Sequence, residues 1–122
     1  MKKISYKDID EVLLPWSARH NLHVYTECKD EETRDMIFMD QWGDQYEIYA
    51  IPDYETGDER VAVGADLCKR GDKNYHAFYR ERKEYHFRTS VDLPNLANAL
   101  DGAWKVTQQW GAQFHAGARK EI

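Results

Sequence analysis

Cysteine is nearly absent from this chain. Cys28 and Cys68 are the only two, which allows at most one disulfide and excludes a four-cysteine zinc site. Each lies in an apolar strand pattern, so two small buried thiols in a reducing cytoplasm are expected rather than a structural disulfide. Long apolar runs are missing too. Nothing approaches the roughly 18 residues of a membrane span, and the start "MKKISYKDID" opens on lysines with no apolar stretch behind them. A soluble, cytoplasmic protein is expected. Walker-type and dinucleotide glycine loops, the HExxH zinc motif and the nucleophile elbow are all lacking. The five histidines are scattered, and "HNLH" sets His20 and His23 across a helix-to-strand junction instead of on one helical face. No metal site, cofactor or catalytic residue is expected. One short pattern, "PD" at Pro52 and Asp53 followed by "ERK" at Glu81 to Lys83, imitates a metal-dependent nuclease. The strand reading puts that "ERK" at a turn tip, away from Asp53, and a non-enzymatic protein remains the expectation.

What is present suits one domain. The 122 residues are 42% hydrophobic and 32% charged, close to the commonest domain size and far from disordered composition. Repeats and low-complexity tracts are absent. A single α+β domain over residues 1–122 is predicted, with 112–122 as a flexible tail.

Helical period occurs at the two ends. Ile9, Val12, Leu13 and Trp16 recur at three and four behind Ser5, a capping residue with Asp8 three places on. This predicts a helix over 6–19, kinked or broken in its last turn by Pro15. Leu93, Leu96, Leu100, Ala103, Trp104, Thr107 and Trp110 predict a second helix, capped by Asp92, with Pro94 in its first turn and Gly111 ending it.

Strand period fills the middle: "LHVYTEC", "TRDMIFMD", "QYEIYAI" and "RVAVGADLC". Gly43 in "QWGD" suits the positive φ of a tight hairpin. The segment "KNYHAFYRERKEYHFRTSV" reads either as a hairpin with "RERK" at its tip or as strand with an included helix, and the alternation of Tyr75, Ala77 and Tyr79, then Tyr85, Phe87, Thr89 and Val91, favours the hairpin. The fold expected is an N-terminal helix, an antiparallel meander of four to six strands and a C-terminal helix, both helices on one face of the sheet. Trp16, Trp104 and Trp110 should then share its core.

Charge is unevenly spread. Residues 27–66 carry thirteen acids (Glu27, Asp30, Glu31, Glu32, Asp35, Asp40, Asp44, Glu47, Asp53, Glu55, Asp58, Glu59, Asp66) against Lys29, Arg34 and Arg60, whereas residues 67–122 hold six acids and ten bases. The loops "KDEET", "QWGDQ" and "PDYETGDE" carry most of the excess, the first and third at one end of a meander and the second at the other. Solubility alone would account for such loops. The functional alternative is a surface for a basic protein partner, using Asp30, Glu31, Glu32, Asp35, Asp44, Asp53, Tyr54, Glu55, Asp58 and Glu59 for charge and hydrogen bonding. Trp42, in a turn among carboxylates, is either a partner anchor or a ring folded back over the sheet edge. Nucleic acid is disfavoured by repulsion from phosphates.

The pieces "LLPWSARHNLHVYTECKDEETRD" and "DLPNLANALDGAWKVTQQW", with this acidic α+β layout, resemble small bacterial immunity or antidote proteins. The resemblance implies neutralisation of a basic toxin by occluding its active site. The competing expectation is a cytoplasmic ligand-binding or dimerising domain, marked by an apolar, aromatic sheet face opposite the helices.

Overall fold

The computed structural model describes residues 3–71, 75–76 and 84–116. Helix α1 (Tyr6–Arg19) opens on the expected capping box. The Ser5 N–H donates to Asp8 Oδ2 at 2.9 Å, and the Asp8 N–H donates to Ser5 Oγ at 3.3 Å. Proline does not break the helix, which runs four residues beyond Pro15. Strands β1 (Tyr25–Cys28), β2 (Glu31–Met39), β3 (Gln45–Pro52), β4 (Arg60–Arg70), β5 (Tyr75–His76) and β6 (His86–Asp92) follow, then a short 3-10 turn (Leu93–Asn95) and helix α2 (Leu96–Phe114).

All pairings are antiparallel, in the order β1-β2-β3-β4, with β5 and β6 both on β4. The fold is the α+β meander expected. Among the described residues, however, β5 and β6 are not paired with each other. They lie one after the other along the same edge of β4, meeting it at Lys69↔His76 and Asp66↔His86. The "RERK" turn and the "ERK" motif fall largely or wholly on residues 77–83, outside the described residues.

Both helices cover one sheet face. Ile9, Leu13 and Trp16 of α1 and Leu96, Leu100 and Ala103 of α2 join Met36, Ile48, Ala50, Val61, Val63 and Ala65 in one buried cluster. Each fully buried large side chain contributes about 1.5–3 kcal/mol. The Trp16 indole N–H donates to Asp101 at 2.8 Å and ties the helices together. Trp104 and Trp110 pack against buried cores but are only half-buried, so Trp16 alone of the three lies fully inside.

Gly111 does not end α2, which continues to Phe114 with His115 as its cap. A side chain at 111 would place Cβ 3.1 Å from Asp40 Oδ2 and 3.3 Å from the Tyr46 hydroxyl. Glycine therefore serves the close approach of α2 to the β2–β3 turn, at a helix-propensity cost of about 1 kcal/mol. Residues 112–116 accordingly belong to the folded unit, and His115 is buried.

Candidate functional site

The three acidic segments are built differently. In the β1–β2 hairpin the turn is only Lys29 and Asp30, both at positive φ (52° and 67°), the two-residue geometry that matches strand twist. Glu31, Glu32 and Asp35 are therefore strand residues. Asp30 and Glu31 are exposed. Glu32 bends toward Arg34, which lies only 6% exposed and donates to Asp10 at 2.7 and 3.1 Å and to Glu32 at 3.2 Å. Hydrogen bonding to Asp10 holds the Arg34 guanidinium above its ordinary pKa. Asp35 is half-buried and accepts from the Thr33 hydroxyl at 2.9 Å.

The β3–β4 loop lies at the same end of the sheet. Asp53 is not a surface acid: it is buried and accepts from the Thr56 hydroxyl at 2.5 Å. That hydrogen bond, then Ser90, keeps its carboxyl below the usual range. Tyr54 is exposed, with its hydroxyl donating to the Ile4 carbonyl at 2.6 Å and Lys3 Nζ 5.2 Å from its ring centroid. Glu55, Asp58 and Glu59 are exposed. Among the described residues, Asp30, Glu31, Asp35, Glu55, Asp58 and Glu59 have no ion-pair partner.

The β2–β3 turn is at the opposite end, about 26 Å away along the nine residues of β2. Here Gly43 has the expected positive φ of 82°, and Asp40 Oδ1 accepts from the Trp42 and Asp44 N–H groups at 2.9 and 3.0 Å. Asp44, expected as an exposed acid, is fully buried. Its Oδ1 accepts the Gly71 N–H at 2.8 Å and lies 3.6 Å from Arg70 Nε, and its Oδ2 lies 2.7 Å from His115 Nε2. Trp42 stacks on His115, with centroids 4.4 Å apart and planes at 15°. The ring is thus half-buried against the end of α2. Trp42 and Asp40 join Phe38, Trp104 and Gln108 around a cleft of about 290 Å³.

Among the described residues, no element covers the sheet face away from the helices. Register sets Tyr25, Asp35, Tyr49, Gly64 and Arg88 in one row across it, and Ile37, Glu47, Asp66 and His86 in the next. Tyr49 lies over Gly64, where an added Cβ would meet the ring at 2.1 Å, and Arg88 donates to its hydroxyl at 3.2 Å. His86 Nδ1 contacts the Asp66 carboxylate. Toward β1 and β2 the face holds exposed apolar side chains: Tyr25 (46%), Ile37 (41%) and Met39 (60%). Nothing in the sequence pattern marked these as uncovered, because their alternation is that of any half-buried strand.

The cysteines are free, but Cys28 is exposed and Cys68 half-buried, against the expectation of two buried thiols. All four residues of β1, an edge strand, are exposed, and the register irregularity opposite Tyr25 and Glu27 puts one extra residue into β2. No group of three or more metal-ligating side chains occurs among the described residues, and none of their helices is long and apolar enough to cross a membrane. No protein-family model matches the chain, and comparison with curated proteins and with solved structures found no match.

Proposed function

We propose that this domain is a non-catalytic recognition module for a basic protein, contacting it through the β1–β2 side of the uncovered sheet face and the carboxylates at the adjoining sheet end. The observation that carries this reading is a coincidence of two features. At one end of the sheet Asp30, Glu31, Glu55, Asp58 and Glu59 are exposed and, like the half-buried Asp35, have no ion-pair partner among the described residues; on the same strands Tyr25, in register with Asp35, and Ile37, two residues further on, are exposed apolar side chains. Charge alone would serve solubility. Exposed apolar groups on this face are the mark of the ligand-binding or dimerising alternative; what favours a basic partner is the rim of charge of one sign around them, the anatomy of an interface with an apolar centre and a polar rim that steers association.

A second copy of the chain fits this surface poorly, because self-pairing would bring like charges together. Asp44 and Asp53 take no part, being buried and bonded internally. The resemblance to immunity proteins gives the reading a biological form: the domain would cover the active site of a basic toxin, and for a nuclease its carboxylates would occupy the place of substrate phosphates.

The test is capture of a basic protein from the source lysate on the immobilised domain, compared with two variants. Capture should fall between about 50 and about 500 mM salt. It should also fall with Asp30→Asn/Glu31→Gln, which removes charge, and with Ile37→Ser, which removes apolar contact. Capture indifferent to both variants would sink the proposal, and an Ile37→Ser-sensitive homodimer in sedimentation would replace it with the dimerising reading.

A further inference from the structure

The cleft between the β2–β3 turn and α2 is remote from the acidic sheet end and has a chemistry of its own. Phe38, Trp42 and Trp104 line it together with Asp40 and Gln108. We propose that it is a subsite for an alkylammonium group, supplied as a lysine side chain of the basic partner; the source of the lysine rests on the function proposed above.

Three observations carry the assignment. Aromatic rings attract a cation through their quadrupoles and shelter the methylene stem that carries it. The carboxylate is half engaged: Oδ1 of Asp40 already accepts two backbone N–H groups, while among the described residues Oδ2 meets only the Tyr46 hydroxyl, at 3.5 Å. With Oδ1 taken by two backbone donors and Oδ2 holding one long hydrogen bond, the carboxylate suits the compact ammonium of lysine and not the bidentate fork of arginine, which matches two oxygens of one carboxylate. Finally, the wall is fixed in advance. Trp42 stacks on His115, and His115 is tied to the fully buried Asp44, so little side-chain freedom is lost on binding.

The experiment follows the indole N–H signals of the four tryptophans by NMR while the intact protein is titrated with N-acetyl-lysine amide, the arginine and norleucine amides, or tetramethylammonium. The lysine amide should shift Trp42 and Trp104 and leave Trp16, whose N–H is held by Asp101, in place. Norleucine, with the same apolar reach and no charge, should bind at least about tenfold more weakly. Asp40→Asn keeps the Oδ1 acceptor and hence the turn, yet should weaken lysine binding by at least about tenfold. Gln108→Lys, at an exposed position on the cleft wall, should abolish binding with the fold unchanged. Equal affinity for norleucine, unaltered lysine binding in both variants, or tetramethylammonium binding at least about tenfold tighter than lysine would each overturn the assignment. Partner capture without lysine shifts removes the cleft and leaves the proposed function standing. Lysine shifts without capture keep an ammonium site and remove the partner.

Discussion

Asp30 and Asp44 occupy equivalent places, one in each of the first two hairpins, and their sequence surroundings are equally acidic. One is exposed at a two-residue turn with no ion-pair partner among the described residues. The other is wholly buried between Gly71, Arg70 and His115. Local charge density therefore does not tell surface from interior. What separates the two is whether a distant segment arrives with donors, as the end of α2 and the end of β4 do for Asp44, and no segment does for Asp30.

The largest expected effect lies on the buried side of that comparison. Asp44→Ala leaves the Gly71 N–H without its acceptor and removes the buried carboxylate that meets His115 and Arg70, and removing one partner from a buried polar cluster of this kind typically costs about 3–5 kcal/mol. Chemical denaturation should show a loss of that size, with Asp44→Asn costing less because the amide oxygen still accepts from Gly71. If Asp44→Ala were no worse than Asp30→Ala, the contrast between the two turns would have no energetic content.

A middle-sized effect belongs to Tyr46, which stands between Asp40 and Asp44. Burial first, then the charges of Asp40 and Asp44, pushes its hydroxyl well above the ordinary value of 10. The unfolded chain then ionises first as pH rises. Stability from this group is complete below about pH 10 and declines above it, by about 1.4 kcal/mol for each further pH unit until the folded form also ionises. Tyr46→Phe should flatten the alkaline limb of the stability curve. A residual slope is expected from Tyr6, whose hydroxyl is raised mainly by burial and then by Glu32. An identical alkaline limb in Tyr46→Phe would mean that the turn is open to solvent in solution.

Much of the frame was legible in the sequence because it rests on local signals. The capping box at Ser5 and Asp8, the apolar stripes of α1 and α2 and the turn glycine at 43 each need only a few neighbouring residues, whereas Asp92, expected to cap α2, caps the short 3-10 turn before it and Asn95 precedes α2 itself. The features that escaped depend on contacts far along the chain. Arg34 is paired with Asp10, 24 residues earlier, and Asp44 is hydrogen-bonded to His115, 71 residues later. Gly111 looks like a helix terminator until Asp40 and Tyr46 are brought against it. The exposure of Cys28 follows from the place of β1 at the edge of the sheet, where all four of its residues are exposed whatever their alternation. The cleft combines Phe38 and Trp42 with Trp104 and Gln108, residues that no local pattern associates.

The smallest effect is expected at the exposed end, and its smallness is informative. Asp30→Asn, Glu31→Gln and Glu55→Gln together remove three charges with little change of shape. Asparagine is chosen at 30 because the backbone there is left-handed, φ 67°, a conformation it tolerates better than serine does. None of the three carboxylates has an ion-pair partner among the described residues, and surface charges contribute about 0–1 kcal/mol even when paired. Thermal unfolding should therefore move by no more than about 0.5 kcal/mol in total, or rise slightly as repulsion among the acids is relieved. Association with the basic partner should slow, and the loss should shrink as salt is raised, because screening removes from the wild type what the substitutions remove from the variant. A triple variant that unfolds several degrees lower would place these carboxylates in the structural class with Asp44. One that binds at the wild-type rate would leave them to solubility alone.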